Sequence, residues 1–94
     1  MNRLYTLIVD FREGTYISQI KAANEKDALI KGIANLQPKD IEFLGEKVKQ
    51  KMLDEAINEE PVPIKGNQNV FMVGLSPMGH FTTVHLILTE SSSE

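Results

Sequence analysis

Apolar and polar residues alternate from the start of the chain. Residues 4–11 read LYTLIVDF and residues 15–22 read TYISQIKA, both rich in β-branched and aromatic side chains. Each predicts a strand. Arg12, Glu13, Gly14 and Thr15 lie between them and predict a hairpin. A two-residue loop at Glu13-Gly14 and a four-residue loop over 12–15 both place Phe11 opposite Tyr16. In that register Tyr5, Leu7, Val9, Phe11, Tyr16, Ser18, Ile20 and Ala22 share one face, apolar except for Ser18. Thr6, Ile8, Asp10, Ile17, Gln19 and Lys21 share the other. A slip by one residue would mix the two sets, so the pattern itself selects the faces.

The period then changes from two to that of a helix. Asn24 is placed to cap a helix N-terminus, with Glu25 and Asp27 in its first turn. Ala28, Leu29, Ile33 and Leu36 recur at helical spacing and face the sheet. Gly32 weakens this helix by about 1 kcal/mol relative to alanine but permits close backbone approach. Pro38 stops it. Ile41, Leu44, Val48, Met52 and Ala56 form a second stripe, widened by Leu53 and Ile57 and interrupted by Gly45. This predicts a turn or short helix near 40–44 and a stronger helix over about 46–58. The pattern leaves open whether 41–44 is helix, turn or strand. Pro61 and Pro63 end the helix, and 64–69 reads as a loop.

Residues 70–75 (VFMVGL) and 81–89 (FTTVHLILT) predict a second hairpin, joined by Ser76-Pro77-Met78-Gly79. Serine, proline and glycine occupy their preferred places in a type I turn. Pairing Ser76 with His80 puts Phe71, Val73, Leu75, Phe81, Thr83, His85 and Ile87 on one face. Val70, Met72, Gly74, Thr82, Val84, Leu86 and Leu88 fall on the other. Both sets are apolar, and the pattern does not say which is core.

The expected fold is α+β, one domain over residues 1–90 with a frayed tail at 91–94. It is a two-layer arrangement in the order β-β-α-α-β-β, with a four-stranded, mainly antiparallel sheet and its helices on one face. Helices on one side cannot cover both faces of the second hairpin. Phe71, Val73, Leu75, Phe81, His85 and Ile87 are therefore a candidate interface for self-association, as a dimer, or for another protein.

Composition narrows the chemistry. The 94 residues are 41% hydrophobic and 24% charged, with a formal charge of -3. That suits a globular domain and disfavours nucleic acid, which usually needs a concentrated basic face. With no cysteine, the chain has no disulfide, thiolate nucleophile or cysteine zinc ligand. Its apolar runs are too short for a membrane span or a signal sequence, so a cytoplasmic protein is expected.

Candidate catalytic groups do not assemble into a known constellation. His80 and His85 are five apart near one strand, an odd separation that points them to opposite faces and disfavours a shared metal. Asp10 and Ser18 also fall on opposite faces, so they cannot form a nucleophile–base pair. Ser18 is expected in a tight spot beneath a helix, bonded to backbone. Asp54, Glu55, Glu59 and Glu60 form an acidic helix end without a ligand spacing, and Lys47, Lys49 and Lys51 a solvated basic group. No phosphate-binding glycine loop is present. No catalytic, cofactor or metal residues are assigned.

The stretch TYISQIKAANEKDAL, followed by a proline-bounded helix and VFMVGL…HFTTVHLILT, resembles a small family of uncharacterised bacterial proteins. The strand–strand–helix start also resembles the architecture of HicB-type antitoxins, although Ala22-Ala23 passes directly to Asn24 where that family adds a third strand. The first resemblance implies no activity. The second implies a toxin-linked or nucleic-acid-linked regulator. The leading expectation is a non-enzymatic module acting through protein contacts. A ligand binder or enzyme with a pocket between sheet and helices, using Tyr5, Tyr16, Asp10 or a histidine, is the further alternative.

Overall fold

The computed structural model describes residues 2–90, so the tail at 91–94 lies outside the described residues. Strand β1 (Arg3–Phe11) pairs with β2 (Gly14–Ala22) on one side and with β5 (Thr82–Glu90) on the other. Strand β4 (Val70–Leu75) pairs with β5, and the two-residue β3 (Val62–Pro63) closes the far edge against β4. The sheet order is β2-β1-β5-β4-β3, antiparallel throughout. Helices α1 (Glu25–Ala34) and α2 (Glu46–Ile57) follow the first hairpin. The fold is thus α+β with one antiparallel sheet, as the pattern predicts, but the sheet has five strands, not four. The fifth is β3, where Pro63 lacks an N–H and is tolerated because the strand lies at an edge.

The core lies between sheet and helices. Tyr5, Leu7, Val9 and Phe11 of β1, Val73 and Leu75 of β4, and Val84 and Leu86 of β5 are buried against Ala28, Leu29 and Ile33 of α1 and Met52 and Ala56 of α2. Burying each large apolar side chain is worth about 1.5–3 kcal/mol. Gly32 is buried where α1 crosses β1, and a Cβ there would lie 2.0 Å from Leu7 Cδ2. The glycine costs helix propensity and gains a closer helix–sheet approach.

Both helices are secured at their ends. Asn24 Oδ1 accepts from Asp27 N at 2.8 Å, and Asp27 Oδ2 accepts from Ala23 N at 2.9 Å. That backbone bond, with Lys31 beside it, holds the Asp27 carboxyl below its usual range. Lys26 Nζ donates to the carbonyls of Ala56 and Ile57, each at 2.9 Å, and to that of Glu59. One ammonium of α1 therefore adds a cationic cap to the carbonyls at the C-terminal end of α2, where the helix dipole is negative. Between the helices runs a 3-10 turn, Pro38–Asp40, and a further bend. The segment 41–44 is accordingly a turn, with Ile41 and Leu44 buried and Phe43 exposed.

The two hairpins differ from their expected registers in instructive ways. In the first, Phe11 pairs with Gly14 and Val9 with Tyr16, so the loop is Arg12-Glu13. Arg12 takes φ 58, and an ideal Cβ on Gly14 would meet the Tyr16 ring at 2.3–2.8 Å. Glycine is needed at the strand start, where the tyrosine lies across it, and not in the turn. The displacement is even, so the faces stay as the pattern assigns them. In the second hairpin Leu75 pairs with Thr82 and Val73 with Val84, an odd displacement. The connection is longer than a four-residue turn. Met78 (φ 52) and Gly79 (φ 85) are both left-handed, and Thr82 Oγ1 donates to His80 O. Phe71, Val73 and Leu75 therefore share the helix face with Thr82, Val84 and Leu86.

Candidate functional site

The odd displacement splits the six candidate interface residues. Val73 and Leu75 are buried in the core, and Phe71 is partly buried against it on the helix side, so none of the three lies on the outer face of the sheet. Phe81, His85 and Ile87 lie on the opposite face, which neither helix covers.

That open face has a definite layout. Ile17, Ile8, His85, Met72 and Val62 are direct neighbours in register, one from each strand in the order β2-β1-β5-β4-β3. They form a single row crossing the whole sheet, apolar except for His85. Ile17 is 68% exposed, Val62 60% and Met72 40%. Phe81, 69% exposed, leans over Gly74, where a Cβ would lie 3.4 Å from its ring. Polar groups flank the row. On one side Thr15 Oγ1 donates to Asp10 Oδ1 at 2.6 Å, with Thr83 opposite Asp10. On the other, Gln19 Nε2 donates to Thr6 Oγ1 at 3.1 Å, and Thr6 bonds the Thr89 hydroxyl. Lys21 stands one pair further along, beside Leu4.

The remaining sequence candidates scatter. Ser18 and Asp10 are on opposite faces, as the alternation requires. Ser18 is not in a tight spot bonded to backbone: it is exposed, on the edge strand β2. It lines a cleft of about 360 Å³ with Tyr16 and Ile20 of β2, Gly32 and Leu36 above them, and Asp40 at its end. The concavity between sheet and helix therefore exists, but Tyr5 and the histidines do not line it. Tyr5 is buried, and burial, reinforced by Glu25, pushes its phenol above its usual range. His80 is exposed in the β4–β5 connection. The acidic helix end is partly consumed by structure, since Glu55 Oε1 accepts from Ser76 N at 2.6 Å and Glu60 pairs with Lys26 at 3.6 Å. Among the described residues no three His, Cys, Asp or Glu side chains converge as a metal site would require. No helix among them is long and apolar enough to cross a membrane.

The apolar row was beyond the sequence pattern because it depends on the β4–β5 register and on β3. No protein-family model, curated protein or solved structure gives a significant match to the chain.

Proposed function

We propose that the protein is a non-enzymatic interaction module that self-associates as a two-fold dimer, stacking the open face of its sheet on that of a second copy. The observation that carries this reading is the Ile17–Ile8–His85–Met72–Val62 row. It is a continuous row, apolar except for His85 at its centre, on the sheet face away from both helices, and largely apolar exposed patches of this kind mark interfaces.

The layout is self-complementary. A two-fold axis running along the row lays it upon itself and reverses the strand ends. Asp10 of one copy then falls over Thr6 and Gln19 of the other, with Lys21 within reach beyond them. The Asp10 carboxylate meets the second N–H of Gln19 Nε2 and approaches the Lys21 ammonium, at both ends of the contact. Strand spacing near 4.8 Å and a rise of about 3.3 Å per residue give the face roughly 550 Å² in plan. Its corrugated accessible surface is larger, and stable interfaces bury about 800 Å² per partner. Aligned stacking of two twisted sheets is an established packing mode.

Ile17→Lys tests the reading. Ile17 is exposed on an edge strand, so the variant should keep the wild-type circular dichroism spectrum and a cooperative thermal transition while losing dimer in size-exclusion chromatography with light scattering. A folded variant that dimerises as the wild type does would refute the proposed face.

A further inference from the structure

One edge of the sheet is blunted and the other is open. At the β3 edge the strand is two residues long, preceded by Pro61 and containing Pro63, which is how sheets discourage strand addition. At the opposite edge β2 runs for nine residues, GTYISQIKA, with Lys21 as its one charged side chain. The first hairpin closes on the Phe11–Gly14 pair. A two-residue loop requires that pair to exchange its hydrogen bonds, and bonded pairs then alternate along the ladder. Gly14, Tyr16, Ser18 and Ile20 thus direct their backbone groups to β1. The N–H and C=O groups of Thr15, Ile17, Gln19 and Lys21 point outward.

The cleft runs along this same edge, on its helix side. Tyr16 and Ile20 form its large walls on the strand, and the small Ser18 leaves the gap between them. We propose that β2 accepts an extended segment of another protein as an added strand, with alternate side chains of that segment entering the cleft between β2 and the C-terminal end of α1.

The two halves of the site are in phase. A segment bonded to Thr15, Ile17 and Gln19 turns every second side chain to the helix side, over Ser18. This is strand addition, in which main-chain bonds supply affinity and a pocket for alternate side chains supplies specificity. The lining also indicates the ligand's chemistry. Gly32, Leu36 and Ile41 make the inner wall apolar. Asp40 is the one carboxylate of the lining, no lysine or arginine lines it, and α1 ends there with the negative end of its dipole. The entering side chains are therefore an apolar residue and, two positions away, a lysine or arginine. A second copy of β2 does not match. Its own helix-side residues, Gly14, Tyr16, Ser18, Ile20 and Ala22, carry no cation. The site adjoins the open face along β2, sharing Thr15, Ile17 and Gln19, but it uses their outward backbone groups and the helix-side cleft, and it does not depend on dimerisation.

Panning a phage-displayed library of linear random peptides against the full chain tests the proposal. Selected peptides should alternate β-branched or other apolar residues with a lysine or arginine in phase. The synthesised hits should shift the amide resonances of Thr15, Ile17 and Gln19 more than those of Ile8 and Ile87. Ser18→Phe fills the gap, and Gln19→Pro removes an outward N–H and the side-chain bond to Thr6 but no backbone bond of the β1 ladder. Each should weaken binding at least ~tenfold. Asp40→Asn should weaken it about two- to fivefold, as for an exposed charge pair. A library yielding no binders, hits that map to the open face, or hits indifferent to both Ser18→Phe and Gln19→Pro would overturn it. So would concentration-dependent shifts of the outward β2 amides that persist in Ile17→Lys, which removes open-face stacking, since a second copy would then occupy the edge.

Discussion

Gly32 on α1 faces Leu7 on β1 so closely that a methyl group on the glycine would overlap Leu7 Cδ2, at 2.0 Å. Two effects oppose each other at this position. Replacing glycine by alanine inside a helix favours folding by about 1 kcal/mol. Forcing a methyl into a packed core disfavours it by about 1–3 kcal/mol. Leu7 is fully buried, so it has no solvent to move into, and the steric term wins. Gly32→Ala should be net destabilised, by up to about 2 kcal/mol, in urea unfolding. Adding Leu7→Val should make room, so the double variant should be more stable than the sum of the single changes. Strict additivity would mean the approach is not what selects glycine.

The Arg12 guanidinium lies 4.1 Å from the centre of the Phe43 ring, and both residues hold left-handed backbone, at φ 58 and φ 69. The contact ties the β1–β2 turn to the bend before α2. An exposed cation–ring contact contributes about 0.5–1 kcal/mol, and a left-handed non-glycine residue costs on the order of 1 kcal/mol. Arg12→Ala loses the contact and keeps the strain, so it should lower stability by about 0.5–1 kcal/mol. Arg12→Gly loses the contact but relieves the strain and should be near neutral. Thermal unfolding of the pair checks the ordering. Alanine as stable as glycine would show that the backbone conformation carries no strain.

Tyr5 sets a limit on alkaline stability. Its phenol is neutral when folded, and its folded pKa is raised above the ordinary value near 10 by burial and then by Glu25. The unfolded chain therefore loses this proton first. The contribution is complete below about pH 10 and is lost as pH rises through the folded value. Tyr5→Phe keeps the ring and removes the proton. The stability difference between wild type and Tyr5→Phe should thus shift in favour of the variant above about pH 10, measured by denaturant midpoints. A difference independent of pH would contradict this assignment.

The helix-facing core was legible because it is local. Ala28, Leu29 and Ile33 at helical spacing, and Leu7, Val9 and Phe11 at strand spacing, are buried as their periods require. The first hairpin tolerated an error in the loop, since moving from Glu13-Gly14 to Arg12-Glu13 preserves the side-chain alternation. The second did not. One additional residue in the connection around Met78 and Gly79 exchanges the faces, which sends Val73 and Leu75 inward with Val84 and Leu86. Turn chemistry identified the bend but not its length. Strand β3 is too short for any period, and its prolines read as helix stops. The surface row depends on both features, so only Phe81, His85 and Ile87 of the expected interface remain outside. Ser18 was recognisable as an exception on an apolar face. Its reason, an edge strand beside a cleft, is tertiary.

Sedimentation equilibrium of the wild-type chain, from nanomolar to near-millimolar protein, tests the central claim most directly. Stacking of the open faces predicts a monomer–dimer equilibrium that fits one dissociation constant and stops at two copies. A single monomeric species across the whole range would contradict it, as would growth beyond the dimer.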